Sequence, residues 1–207
     1  MTDYTTEQES FWAGAFGNDY TTRNVGQDWV AANTALFSQV LARTRGVESV
    51  LELGANRGLN LRALAALLPA ARLAAVEINA TAAVELRDWG RATVHEQSLL
   101  DFAAAEPADL SFTKGVLIHI NPDRLPDAYR ALVDSSRRYV LVAEYYNPSP
   151  VTVPYRGESE RLFKRDFAGE LLDTYPELRL VDYGFAYHRD PNFPQDDLTW
   201  FLLEKAG

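Results

Sequence analysis

Residues Leu51 to Asn60 read LELGANRGLN: an acid at 52, a glycine two positions on and another glycine six positions on, closing a strand-like apolar run. A dinucleotide loop that cradles a pyrophosphate wants glycines at 54, 56 and 59, and here Asn56 and Leu59 stand at two of those places. The set Glu52, Gly54 and Gly58 fits instead the spacing used for S-adenosylmethionine (SAM), whose sulfonium and amino-acid moiety needs no anion cradle and suits a nearby carboxylate. Gly54 lets the backbone turn and approach a ligand, and Asn56 tolerates a left-handed conformation. An ordinary strand-to-helix turn is the competing reading of the same ten residues. A second acid tips the balance. Glu77, followed by Ile78, closes the next apolar run 25 positions after Glu52 and 19 after Gly58, near the roughly 20-residue offset at which such folds set a carboxylate against ribose hydroxyls. Gln97, Ser98 and Leu99 then follow a third strand, where backbone amides or the Gln97 side chain would read an adenine edge.

Other residues invite chemistry with less specific spacing. Tyr20, Arg23 and Asn24 sit in the aromatic, glycine-rich stretch FWAGAFGNDYTTRN, and an arginine there can hold the cofactor carboxylate bidentately. Phe11, Trp12 and Phe16 of that stretch read as an amphipathic helix over a sheet edge. Lys114, ending a fourth strand, would lie under the methionyl group through its backbone. His119 is either a general base or a packed histidine that orients the loop. Tyr145 and Tyr146 open a proline-punctuated loop of the kind that forms lids and acceptor pockets, so both are expected at the substrate and Tyr146 also at the transfer step. Arg156, Arg161, Lys164 and Arg165 put four cations into ten positions. They are either an anion-binding patch, with His188 added between the last strands, or a solvated face paired to Glu158 and Glu160. The three histidines, His95, His119 and His188, lack metal-ligand spacing, so no metal is expected.

These residues need elements to position them. Val47–Leu53 and Ala71–Ile78 are apolar runs suited to strands buried on both faces, and the helical pattern between them makes a βαβ unit. The alternation continues through RATVHE, ADLSFTKGVLIHI and RYVLVAEYY, and LRLVDYGFAYHR and LTWFLLEK close the chain as an antiparallel pair. The expectation is an α/β fold: a Rossmann-like, seven-stranded, mostly parallel sheet with helices on both faces and a C-terminal antiparallel hairpin. Residues 1–45 are expected as an N-terminal helical cap and 46–207 as one compact SAM-binding domain. Ligands of open α/β sheets bind at the carboxyl ends of the strands, so the loops after Leu53, Ile78, Glu96, Thr113 and Glu144 should share a crevice.

Composition narrows the partners. With 29 acidic against 20 basic residues in 207, the formal net charge is -9, which repels phosphate backbones and anionic lipid. Nucleic acid and membrane are therefore excluded as expected partners and a small-molecule substrate is favoured. Cysteine is absent, which removes disulfides and thiolate chemistry. Neither a signal-like N-terminus nor an 18-residue apolar run is present, so a cytoplasmic location is expected.

The blocks FWAGAFGNDYTTRN, ELGANRGLNL, FTKGVLIHINP, AEYYNPSPVTVPYRG, RLFKRDFAGELLD and YHRDPNFPQDDLTWFLLEK span nearly the whole chain. Together they resemble the class I SAM-dependent methyltransferases, and among them the methylases associated with pseudaminic acid biosynthesis. The resemblance implies a methyltransferase with SAM as cofactor and S-adenosylhomocysteine (SAH) as product. Its acceptor would be O or N of a small polar anionic metabolite, such as a nonulosonic acid or an activated sugar. The alternatives are a natural-product methyltransferase with another acceptor and a SAM-binding protein that no longer transfers methyl.

Overall fold

Apolar residues one position apart on the same strand are sent to opposite sides of a sheet. Leu51 and Leu53 join one buried cluster with Leu125, Leu132 and Leu171, whereas Val50 joins another with Phe37, Leu61 and Leu64. A strand flanked by two cores must be apolar throughout, which is why Ser49–Leu53 is buried at all five positions. The computed structural model describes residues 4–23, 27–155 and 158–206, and the side chains of residues 22–28 and 154–161 lie outside that description.

The described elements are α1 (Glu7–Ala13), α2 (Ala15–Arg23), α3 (Gln27–Leu41), β1 (Ser49–Leu53), α4 (Leu59–Leu67), β2 (Arg72–Glu77), α5 (Ala80–Trp89), β3 (Ala92–Glu96), β4 (Ala108–Lys114), α6 (Leu125–Asp134), β5 (Ser136–Glu144), β6 (Val151–Tyr155), β7 (Glu158–Lys164), α7 (Phe167–Thr174), β8 (Leu178–Ala186) and β9 (Leu198–Lys205). Seven strands form one sheet in the order β3-β2-β1-β4-β5-β9-β8. The first five are parallel and β9 runs antiparallel to both β5 and β8. The α/β fold expected from the sequence, closed by an antiparallel pair, is the one observed. Order reverses between β1 and β4, so a crevice opens at the carboxyl ends of these two strands.

Two segments differ from the sequence expectation. The stretch after β5 contains a hairpin, with Thr152 opposite Phe163 and Val153 opposite Leu162. Its first strand is a short β-branched run between prolines, and burial of Leu162 and Phe163 makes the pairing worthwhile. At the N-terminus, two helices rather than one precede α3, and they lie over the crevice mouth instead of along a sheet edge. Thr6 caps α1, accepting from Glu9 N–H, while Glu9 Oε2 accepts from Thr6 N–H in return. Asn79 Nδ2 donates to the Trp12 carbonyl at 3.1 Å and to Asn18 Oδ1 at 2.9 Å, and Arg57 Nη1 donates to the Thr21 carbonyl. Among the described residues, no helix is long and apolar enough to cross a membrane.

Candidate functional site

The loop after β1 turns sharply because three residues adopt positive φ: Gly54 at 81°, Asn56 at 47° and Gly58 at 74°. At Gly54 a Cβ would press on the Val116 side chain at 2.6 Å, so a larger residue meets both strain and a neighbour. Asn56 is the one non-glycine of the three, and its side chain repays the conformation locally: Oδ1 accepts from Arg57 N–H at 2.7 Å. The Asn56 N–H donates to Glu77 Oε2 at 2.6 Å, and Asn79 N–H donates to Glu77 Oε1 at 2.7 Å. The first loop and the end of β2 are thereby tied through one carboxylate.

Beneath the loop, Glu52 is fully buried and accepts from Asn60 Nδ2 at 2.6 Å. Burial pushes its pKa up to about 8, against the pull of the Asn60 hydrogen bond and the Lys114 charge. Glu77 is also raised, by burial first, although N–H donors from Asn79 and Asn56 oppose it. At the end of β5, Glu144 accepts from Val116 N–H at 3.0 Å and Leu117 N–H at 3.1 Å, pinning the 3₁₀ turn Leu117–His119. Burial drives Glu144 up to about 7.

These loops enclose a cavity of about 480 Å³. Residues following β1, β2, β3, β4 and β5 all contribute to its wall. Of the residues singled out in the sequence, Tyr20, Gly54, Asn56, Glu77, Ile78, Gln97, Ser98, Leu99, Lys114, His119 and Tyr145 line it. Glu52 and Gly58 lie behind the wall, Glu52 acting through Asn60 and Gly58 packed against Leu86. The buried His119 ring stands 4.7 Å from Trp12, which in turn meets Tyr20 edge-on.

Other candidates fall outside the cavity wall. Tyr146 is 42% exposed and packs on Phe201. Arg165 is bound to Glu170 at 2.6 Å, the same carboxylate that takes the Tyr129 hydroxyl. Lys164 sits over the Tyr145 ring at 5.1 Å, just behind the lining. The His188 ring pairs with Asp197 on the exposed connection between β8 and β9. The side chains of Arg23 and Arg161, and Asn24 and Arg156 altogether, lie outside the described residues. Among the described residues, no group of three or more His, Asp or Glu side chains is placed to hold a metal ion.

No protein-family model matches the chain, and no curated protein does. Solved structures do. A SAM-dependent methyltransferase from Clostridium acetobutylicum superposes with a TM-score of 0.64 at 12% identity, over 93% of this chain and 98% of the other. Magnesium protoporphyrin IX methyltransferase from Synechocystis, with bound SAH, gives 0.69 at 14% identity over 96% and 100% of the two chains. The 1,6-didemethyltoxoflavin-N1-methyltransferase of Burkholderia thailandensis gives 0.68 at 17%, over 100% and 94%.

The chain has the class I methyltransferase fold. At these identities the likeness concerns architecture, and within that fold the cavity lies at the carboxyl ends of the strands, where the order reverses. Several residues that build it went unread in the sequence. Asn60 and Glu144 carry local signals, a polar side chain in the first turn of an apolar helix and an acid ending an apolar strand. Trp29, Asn33 and Asp196 carry none, because they reach the cavity from α3 and from the β8–β9 connection.

Proposed function

We propose that the chain is a SAM-dependent methyltransferase that transfers methyl to O or N of a small polar anionic metabolite. The observation that carries this reading is the Glu77 carboxylate. It ends β2 inside the cavity, only 6% exposed, with its oxygens held by the backbone N–H groups of Asn56 and Asn79 and a further backbone contact from Ile78. Two fixed acceptor oxygens match the vicinal hydroxyls of a ribose, whereas a solvated strand-end glutamate would need no such fixing. Gln97, Ser98 and Leu99 are the residues for the adenine, Tyr20 and Asn56 for the amino-acid end, and Glu52 for the positive charge. Arg23 and Asn24 remain part of the proposal for the carboxylate.

When bound, SAM supplies a methyl group on a sulfonium, open to in-line attack. The work left to the chain is positioning and water exclusion. Trp12 and Tyr20 roof the cavity, and Glu144 holds the turn that bears His119. We assign His119 the proton of a hydroxyl or protonated-amine acceptor, and Tyr145 the wall against which that acceptor sits, with Tyr146, Lys164, Arg165, Arg156 and His188 as outer contacts. The resemblance to the pseudaminic acid-associated methylases makes nonulosonic acids and activated sugars the first acceptors to try. In the same reading, residues 1–45 act as a cap on a SAM-binding unit of residues 46–207.

Calorimetry with SAM and SAH tests the cofactor, and mass spectrometry of an acceptor panel tests transfer. A gain of one methyl with stoichiometric SAH is expected. Tight SAM binding with no product across a broad panel favours a silent SAM-binding protein, and absence of SAM binding sinks the reading.

A further inference from the structure

Two of the cavity's lining residues are an arginine or a lysine, Arg57 and Lys114. Arg57 is committed, since its guanidinium binds Glu85 and the Thr21 carbonyl. Lys114 is different: among the described residues it forms no ion pair within 4.0 Å, although Asp196, Glu52 and Glu144 all act on it through space. Its direction follows from the strand. Leu110 and Phe112 pack into the cluster beneath α3 and α4, and Lys114, two positions further along β4, leaves the sheet on that face.

That face has its own wall. Trp29 and Asn33 line the cavity from α3, and Asn33 Oδ1 accepts from Gln195 Nε2 at 3.0 Å. This buried bond spans 162 residues and fixes the β8–β9 connection over α3, which brings Asp196 to the rim. Trp29, Asn33, Lys114 and Asp196 thus line the same cavity as Glu77 and Ser98. Burial raises the pKa of Glu52 to about 8 and that of Glu144 to about 7, and it lowers that of Lys114 from its ordinary value, a shift that Asp196, Glu52 and Glu144 oppose. Of the two basic lining residues, Lys114 is the one left without an ion pair among the described residues, and Asp196 is the acid that acts on it most strongly.

We propose that the Lys114 ammonium, on the cavity wall it shares with α3 and the β8–β9 connection, binds an anionic oxygen, carboxylate or phosphate, of the methyl acceptor. This rests on the methyltransferase reading and sharpens it. The cation patch at 156–165 is replaced as the main anion contact by a lysine inside the cavity, consistent with Arg165 being bound to Glu170.

The test is a titration with pyruvate and with inorganic phosphate at constant ionic strength, followed by tryptophan fluorescence because Trp29 lines the cavity. It is run with and without saturating SAH, on the wild type, Lys114→Met and Lys114→Arg. Saturable binding of at least one anion is expected in the wild type, with SAH or without, and the stronger anion names the acceptor's group. Lys114→Met should weaken it at least tenfold while SAH affinity stays within threefold, and Lys114→Arg should restore most of it, which separates charge from folding. Unchanged anion affinity in Lys114→Met overturns the proposal, as does a wild type that responds to neither anion. A tenfold loss of SAH affinity, or anion binding abolished by SAH, also overturns it, because the ammonium would then serve the cofactor's own carboxylate. If the wild type fails to bind SAH at all, the methyltransferase reading falls. The arm without SAH still decides whether Lys114 binds an anion.

Discussion

Replacing Glu52 with Gln should flatten the pH dependence of stability, and the size of the effect follows from burial. Glu52 has no exposed surface, one oxygen bonded to Asn60 and the other buried without a hydrogen-bond partner among the described residues. Its pKa rises from 4.5 to about 8, chiefly because burial disfavours the charged form. For an acid raised in this way, the folded state keeps a proton that the unfolded chain releases above 4.5. Its contribution is therefore intact at low pH and lost as pH climbs from about 4.5 to about 8, by roughly 5 kcal/mol in all. Gln mimics the protonated acid and keeps a carbonyl for Asn60, so Glu52→Gln should be nearly neutral at about pH 5 and stabilising by roughly 5 kcal/mol at about pH 9. Urea denaturation of both proteins across that range measures the difference. Glu144 acts in the same direction through about 7 but is present in both proteins, so it cancels. Lys114, lowered by burial, acts oppositely at the alkaline end. Parallel stability-pH curves for the two proteins would refute the reasoning. A bound sulfonium should hold Glu52 ionised, so the preference for SAM over SAH should grow with pH in the wild type and be flat in the variant.

Four further outcomes are expected. Glu77→Gln should weaken SAM binding by roughly 1 to 3 kcal/mol in calorimetry, because an amide NH₂ would face one of its backbone N–H donors, and an unchanged Kd removes Glu77 from the site. Asn56→Val should cost roughly 1 to 2 kcal/mol in thermal unfolding, since φ is 47° there, whereas Asn56→Gly should stay within about 1 kcal/mol of the wild type. Glu144→Ala leaves the N–H groups of Val116 and Leu117 without their acceptor, at roughly 1 to 3 kcal/mol. Hydrogen exchange should quicken over 116–119, and protection equal to the wild type there contradicts the pinning role. His119→Ala should slow turnover while SAM affinity holds, and full activity takes His119 out of the proton transfer.

The parts of the molecule legible in its sequence are those written in short-range pattern. Two two-sided apolar runs and the alternation of strand and helical periods after them specify a mostly parallel sheet, and the spacing of Glu52, Gly54, Gly58 and Glu77 sets a loop and two acids at the ends of its first two strands before any contact is known. Even the left-handed Asn56 was readable, because its conformation is local. The hairpin Val151–Lys164 was not, since three β-branched residues between prolines become a strand only when Leu162 finds a core to enter and Phe163 is buried. The fate of the cations was equally hidden. Arg165 and Lys164 look alike in sequence, yet one is bound by Glu170 and the other lies over Tyr145. Burial and long-range pairing decided the rest: Glu52 and Glu144 became acids whose pKa burial raises, and Asn33 met Gln195 to bring Asp196 to the cavity that Lys114 lines. Desolvation and contact between residues more than a hundred positions apart are properties of the packed chain, and no local periodicity encodes them.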